Sequence, residues 1–146
     1  MTSDEKWDVR FLELAKFISR WSKDPSTKCG AVIVRPNRTV VSIGFNGFPR
    51  KIDDNEKLLE DREYKYAIVI HAEENALLHT REDVAGCTIY TWPVPPCPRC
   101  ASKIIQTSIA RVVSAITDRE TCAGMEIEIG RSLFKQAGIE LTEMRI

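Results

Sequence analysis

The sequence predicts an α/β protein: a three-layer α/β/α sandwich around a mixed five-stranded sheet. Three observations predict it. Short β-rich runs (CGAVIVR, TVVSIGF, TIYTW, RVVSAI and IELTEM) recur along the chain. The first two are separated only by a Pro-Asn-Arg turn, which calls for an antiparallel hairpin. The later runs alternate with helix-patterned segments, and such crossovers favour parallel neighbours with helices on both faces. A length of 146 residues suits one domain, 1–146, with its own hydrophobic core.

In chain order, the first helix is expected over residues 5–21. Trp7, Phe11, Leu14, Phe17, Ile18 and Trp21 recur there at helical spacing, and core packing is the expectation for them. SKDPST breaks the helix at Pro25. Cys29–Arg35 and Thr39–Phe45 form the hairpin, and Asn46–Pro49 (NGFP) ends it in a turn. Residues 50–66 are polar and charged, a surface loop with a short helix. The apolar run AIVI leads into HAEENALL, residues 71–78, a breaker-free helix with His71 in its first turn. Thr88–Trp92 is the third strand. PVPPCP cannot be a central strand or a helix interior and is a rigid loop. A helix over 98–107 opens at Pro98. Arg111–Ile116, a helix over 123–136 and Ile139–Met144 complete the order.

Composition narrows the function. Hydrophobic residues make up 43% and charged residues 29%, ordinary for a folded domain. Lys+Arg and Asp+Glu both total 21. That balance disfavours a nucleic-acid binder, which shows a basic excess or stripe. No run of 18 apolar residues would span a membrane, and MTSDEKWD has no signal-peptide character. A cytoplasmic location is the expectation. Five cysteines, an odd number in such a chain, argue against a disulfide framework. Cys29 and Cys87 beside apolar runs read as buried thiols, and Cys122 as a cap or surface residue.

The chemistry concentrates in two short segments. Cys97 and Cys100 form a C-x-x-C pair within PPCPRCA, ambiguous alone between metal binding and redox exchange. His71-Ala72-Glu73 upstream completes the pattern H-x-E…P-C-x-x-C. Two thiolates and an imidazole make three zinc ligands and leave a fourth position open to water. Bound water then ionises near neutral pH. Glu73 lies two residues from His71, off its face of a helix, so it is placed to move protons rather than to ligate. Glu74 reads as a surface or salt-bridge residue and His79 as a helix-end residue.

With these motifs the sequence resembles the zinc-dependent cytidine/deoxycytidylate deaminase superfamily, most closely its deoxycytidylate (dCMP) branch. DPSTKCGAVIV and GFNGFP favour that branch. The resemblance implies a cytidine deaminase-like fold and one Zn2+ per chain, held by His71, Cys97 and Cys100. It implies that a zinc-activated hydroxide attacks C4 of dCMP, giving dUMP and ammonia, with Glu73 as proton shuttle. It places the backbone amide of Ala72 on the pyrimidine carbonyl and Asn46 near sugar and base. Trp92 and residues 93–96 would line the pocket, and Tyr66 lines it or packs. Arg50, Lys51, Lys65 and Arg99 are the basic residues near the motifs, with Arg50 a candidate substrate contact. Residues 50–70 contain no cysteine or histidine, so the second zinc of longer relatives is not expected. Ser108 stands where such enzymes usually have glycine, which reads as a packing variation. A homo-oligomer, a hexamer, with dCTP activation and dTTP inhibition is implied for some members. Other readings are a deaminase of modified dCMP, cytidine, guanine or tRNA adenosine, or a structural zinc module. The module would want a fourth ligand and no Glu73. A disulfide oxidoreductase leaves His71 and Glu73 unexplained.

Overall fold

The computed structural model describes residues 1–118 and 124–146, without the side chains of 124 and 125; Cys122 lies outside the described residues. Five strands, β1 (Gly30–Val34), β2 (Val40–Phe45), β3 (Thr88–Trp92), β4 (Arg111–Ala115) and β5 (Glu140–Met144), form one sheet in the order β2-β1-β3-β4-β5. β1 pairs antiparallel with both β2 and β3, whereas β3–β4 and β4–β5 are parallel. The mixed sheet follows from the hairpin at one end and the crossovers at the other.

Period-two alternation along the strands feeds two cores. Ala31, Ile33, Ile89 and Val112 face one way, onto α4 (Ala72–Leu78), α5 (Pro98–Gln106) and α6 (Gly124–Ala137). Val32, Val34, Tyr90, Val113 and Ala115 face the other way, onto α1 (Ser3–Ser19). The three layers are thus α1, the sheet, and the α4–α6 group.

α1 starts two residues before the sequence suggests, because Thr2 and Glu5 form a capping box. Its buried stripe is Phe11, Leu12, Ala15 and Ile18. Phe17 and Trp21 depart from the expected core packing: they are 51% and 50% exposed. They sit on the flank of the stripe and form an edge-to-face chain with Phe45 at the end of β2. The polar segment after β2 holds two short helices rather than one, α2 (Glu56–Glu60) and α3 (Arg62–Ile68). Asn55 caps the first and Asp61 the second, each accepting a backbone N–H three residues on. Half of the apolar AIVI run therefore ends α3.

Two close approaches position the loops at one end of the sheet. A Cβ at Gly44 would lie 2.4 Å from the Ala72 carbonyl oxygen, so only glycine lets the start of α4 rest on β2. A Cβ at Gly130 would lie 2.5 Å from the Pro96 oxygen, so glycine lets α6 close on the proline loop.

Ser108 differs from its reading as a packing variation. Its side chain is exposed, and its φ of 64° lies in the left-handed region just past the end of α5. Glycine is favoured there for its backbone freedom. Ser108→Gly is expected to stabilise the fold by about 1 kcal/mol, raising Tm by about 3 °C in a domain of this size. A thermal melt with no rise would show that the strain is relieved locally.

Candidate active site

The cleft lies at the carboxyl end of β3, where open α/β sheets place ligands. Its walls come from the loop before β1, the turn after β2, the end of α3, the start of α4, the proline loop and the first turn of α6.

Two helix starts supply the chemistry. His71 is the N-cap of α4 and Cys97 the N-cap of α5, with Cys100 in its first turn. The starts are tied together by Glu74. Its Oε1 accepts the His71 backbone N–H at 2.9 Å and Arg99 Nη2 at 2.9 Å, and its Oε2 meets Lys103 Nζ at 3.0 Å. Arg99 also donates to the Val69 carbonyl oxygen at 3.2 Å. Burial alone would raise the Glu74 carboxyl, but the His71 N–H, Lys103 and Arg99 outweigh it and hold the group below its ordinary pKa. Glu74 is therefore the clamp that brings α4 and α5 into register, a role beyond the surface ion pair its sequence context suggests.

The His71 Nδ1 atom lies 3.2 Å from Cys100 Sγ and 3.4 Å from Cys97 Sγ. Tetrahedral zinc, with one nitrogen and one sulfur ligand at ordinary bond lengths, sets those atoms about 3.5 Å apart. All three ligand atoms lie within 4.8 Å of one another, and they form the one such cluster among the described residues. The donor set and its spacing fit zinc. Of the three, Cys97 is already poised as a thiolate, because the Cys100 thiol and His71 pull it down to about 4, whereas Cys100 and His71 must each give up a proton to ligate. The Cys100 thiol is pushed up, first by its bond to Cys97 and then by burial. His71 is raised chiefly by its bond to Cys97. Both sulfurs stand at a helix N-terminus, whose partial positive charge favours thiolate.

Glu73 is the second residue of α4, 8% exposed, and lines the cleft beside the cluster without belonging to it. Burial raises its carboxyl pKa, only partly offset by His71. A carboxyl shifted toward neutrality can both take and give a proton. Ala72 is fully buried, and as the first helical residue its N–H has no intrahelical acceptor.

The structure brings Asn46, Tyr66, Ala72 and Trp92 to this cleft with His71, Glu73 and Cys97. Arg50 is elsewhere. It is exposed and 3.4 Å from His79 at the far end of α4. Seven helical residues, about 10 Å, separate that end from His71. Cys29 is half-buried on the cleft wall rather than in the core, whereas Cys87 is buried as expected. Lys65 is 5% exposed and paired with Asp24. Asp24, Ser26, Thr27, Glu126 and Ile127 also line the cleft and were not legible as site residues. A DPST segment could have drawn attention, since an aspartate before proline commonly organises a turn.

The family model for the cytidine and deoxycytidylate deaminase zinc-binding region matches residues 5–116. The chain is 44% identical over 139 residues to an uncharacterised deaminase of Aliivibrio fischeri, covering 94% of this chain and 92% of that one. It is 34% identical over 140 residues to the deoxycytidylate deaminase of Homo sapiens, covering 92% of this chain and 77% of that one. Its fold is similar to the crystal structure of dCMP deaminase from the cyanophage S-TIM5, with a TM-score of 0.74 and 25% identity over 99% of this chain and 100% of that one. With a zinc-type ligand cluster and a buried glutamate at the two segments that carry the motif, the chain belongs to the cytidine and deoxycytidylate deaminase zinc-binding family.

Proposed function

We propose that this chain, as one domain spanning 1–146, hydrolyses the C4 amino group of dCMP to give dUMP and ammonia. The observation that carries the reading is the placement of Glu73. It is a buried carboxyl with a raised pKa, in the same cleft as a three-ligand metal cluster that it does not join. The choice of dCMP is supported by relatives named deoxycytidylate deaminase in mouse and human, which the chain matches over 92% of its length.

Zinc held by His71, Cys97 and Cys100 supplies Lewis-acid chemistry that makes water nucleophilic near neutral pH. The chain's own residues do the rest. The Ala72 N–H donates to the pyrimidine carbonyl and fixes the ring at the helix start. Glu73 accepts the first proton that water gives up and passes it to N3. It then takes the second from the C4 hydroxyl of the adduct and delivers it to the amine, so that C4=O forms as the C4–N bond breaks and ammonia leaves. Trp92 and the proline loop close the cleft around the base, and Tyr66 stands at its mouth. Asn46 faces the sugar.

Among the described residues no helix is long and apolar enough to cross a membrane. The proposal extends to a cytoplasmic enzyme of nucleotide metabolism that assembles as a homo-oligomer. The exposed Phe17, Trp21 and Phe45 support assembly. A hexamer controlled by dCTP and dTTP rests on the resemblance alone.

A deamination panel tests the substrate: dCMP, CMP, deoxycytidine, 5-methyl-dCMP, dGMP and adenosine in RNA. We expect dCMP to lead in kcat/KM by about tenfold or more, the margin a hydrogen-bonding site gives over a ligand missing one contact. If dCMP is left untouched while another member turns over, the substrate assignment is wrong.

A further inference from the structure

We propose that Asp24 is a positioning residue, which orients the Asn46 amide so that its carbonyl oxygen faces a substrate hydroxyl. This inference rests on the dCMP reading of the cleft.

Asp24 is a carboxylate at 6% exposure on the cleft wall. Its Oδ1 accepts the backbone N–H groups of Ser26 and Thr27 at 2.8 and 3.3 Å and Lys65 Nζ at 3.2 Å. Its Oδ2 accepts from Asn46 Nδ2 at 3.4 Å. The other Asn46 Nδ2 hydrogen goes to the Thr27 carbonyl oxygen at 2.9 Å. Asn46 Oδ1 accepts the Cys29 N–H at 2.8 Å. Three consequences follow. Both amide hydrogens are used inside the protein. The amide cannot turn over, because turning would set its oxygen against the Asp24 carboxylate and its NH2 against the Cys29 N–H. What Asn46 can still offer a ligand is the second lone pair of Oδ1, an acceptor only. Lys65 pairs with Asp24 at 3.2 Å, so the buried carboxylate has a buried partner of opposite charge.

An acceptor fixed in this way selects for a donor on the substrate. In a deoxynucleotide the donors are the exocyclic amine, which the Glu73 end of the cleft must receive, and the sugar 3′-hydroxyl. Asn46 is assigned the hydroxyl, and Asp24 acts on it through Asn46. An amide at position 24 could donate to Asn46 and allow the reversed orientation, which presents NH2 to the hydroxyl.

The test crosses Asp24→Asn with removal of the hydroxyl. Wild type and D24N are assayed on dCMP and on 2′,3′-dideoxycytidine monophosphate, with zinc per chain and Tm recorded for each protein. Wild-type turnover of dCMP tests the substrate reading separately. Wild type is expected to lose about tenfold or more in kcat/KM on the dideoxy substrate, about the worth of one good hydrogen bond. D24N is expected to raise KM for dCMP about tenfold with kcat within about threefold of wild type. The same substitution should leave the dideoxy substrate nearly unaffected. An equal D24N penalty on both substrates would make Asp24 a merely structural brace and overturn the proposal. So would a wild-type enzyme indifferent to the 3′-hydroxyl, a result that needs no folded variant.

Discussion

Glu73→Gln is expected to lower dCMP turnover by about 10³-fold while zinc content and Tm stay at wild-type values. The size follows from the role. General acid–base catalysis contributes about 10²–10⁴-fold, and here one group serves both the attacking water and the leaving amine. Glutamine keeps the shape and a hydrogen-bonding end but cannot move a proton. The loss should fall on kcat, because Glu73 contributes to the reacting centre rather than to holding sugar or phosphate. Folding should tolerate the change. Burial already disfavours the charged form of Glu73, so a neutral side chain of equal volume relieves a desolvation penalty. Zinc should remain because the ligand cluster is His71, Cys97 and Cys100. Kinetics and metal analysis on one preparation separate the cases. Turnover within tenfold of wild type removes Glu73 as the proton carrier, and loss of zinc would make it a ligand.

The features legible in the sequence are those carried by local pattern. β3 is found at Thr88–Trp92 as expected, because its short run of β-branched and aromatic residues is bounded by Gly86 on one side and the proline loop on the other. The ligand set is legible for the same reason. His71 and Glu73 are neighbours, as are Cys97 and Cys100, and each pair sits at a helix start that the sequence signals. Pro98 at the opening of α5 and the breaker-free HAEENALL place those starts.

The features that were not legible are long-range polar contacts. Asp8 looks like a solvent-facing residue of α1, yet it is 3% exposed. It accepts from the Tyr90 hydroxyl at 2.8 Å and from both terminal nitrogens of Arg111 at 2.8 and 2.6 Å. Asp24 and Lys65 behave likewise across the loop before β1 and α3. A charged residue buries when a distant partner compensates it, and no window of neighbouring residues contains that partner. The aromatics of α1 show the opposite error. Periodicity marked Phe17 and Trp21 as core, but helical spacing defines a stripe only to within one position, and the sheet selected Leu12 and Ala15 instead. Arg50 seemed close to the substrate because it follows NGFP in sequence. The backbone turns there, and the side chain runs to His79 instead.

Cys100→Ala is expected to abolish zinc binding and activity together, leaving a folded protein of lower Tm. Cys100 is fully buried in the first turn of α5 and 3.2 Å from His71 Nδ1. Alanine there removes one of three protein ligands, and a site with two seldom retains zinc. The two hydrophobic cores pack without any contribution from the metal, since Ile33, Ile89, Val112 and Phe134 on one face and Phe11, Leu12, Val32 and Val113 on the other bury their surface regardless. Metal therefore adds stability to a fold that already stands, unlike a zinc finger, which needs metal to fold. At a free zinc concentration 1,000 times Kd the added stability is about 4 kcal/mol, and for a domain of this length that is about 10 °C in Tm. Chelator should lower the wild-type Tm by that amount and leave Cys100→Ala unchanged, because the variant has no metal to lose. Glu73→Gln should respond to chelator as wild type does, although both variants are inactive. A chelator-sensitive Tm in Cys100→Ala would place the metal on other ligands and break the three-residue assignment.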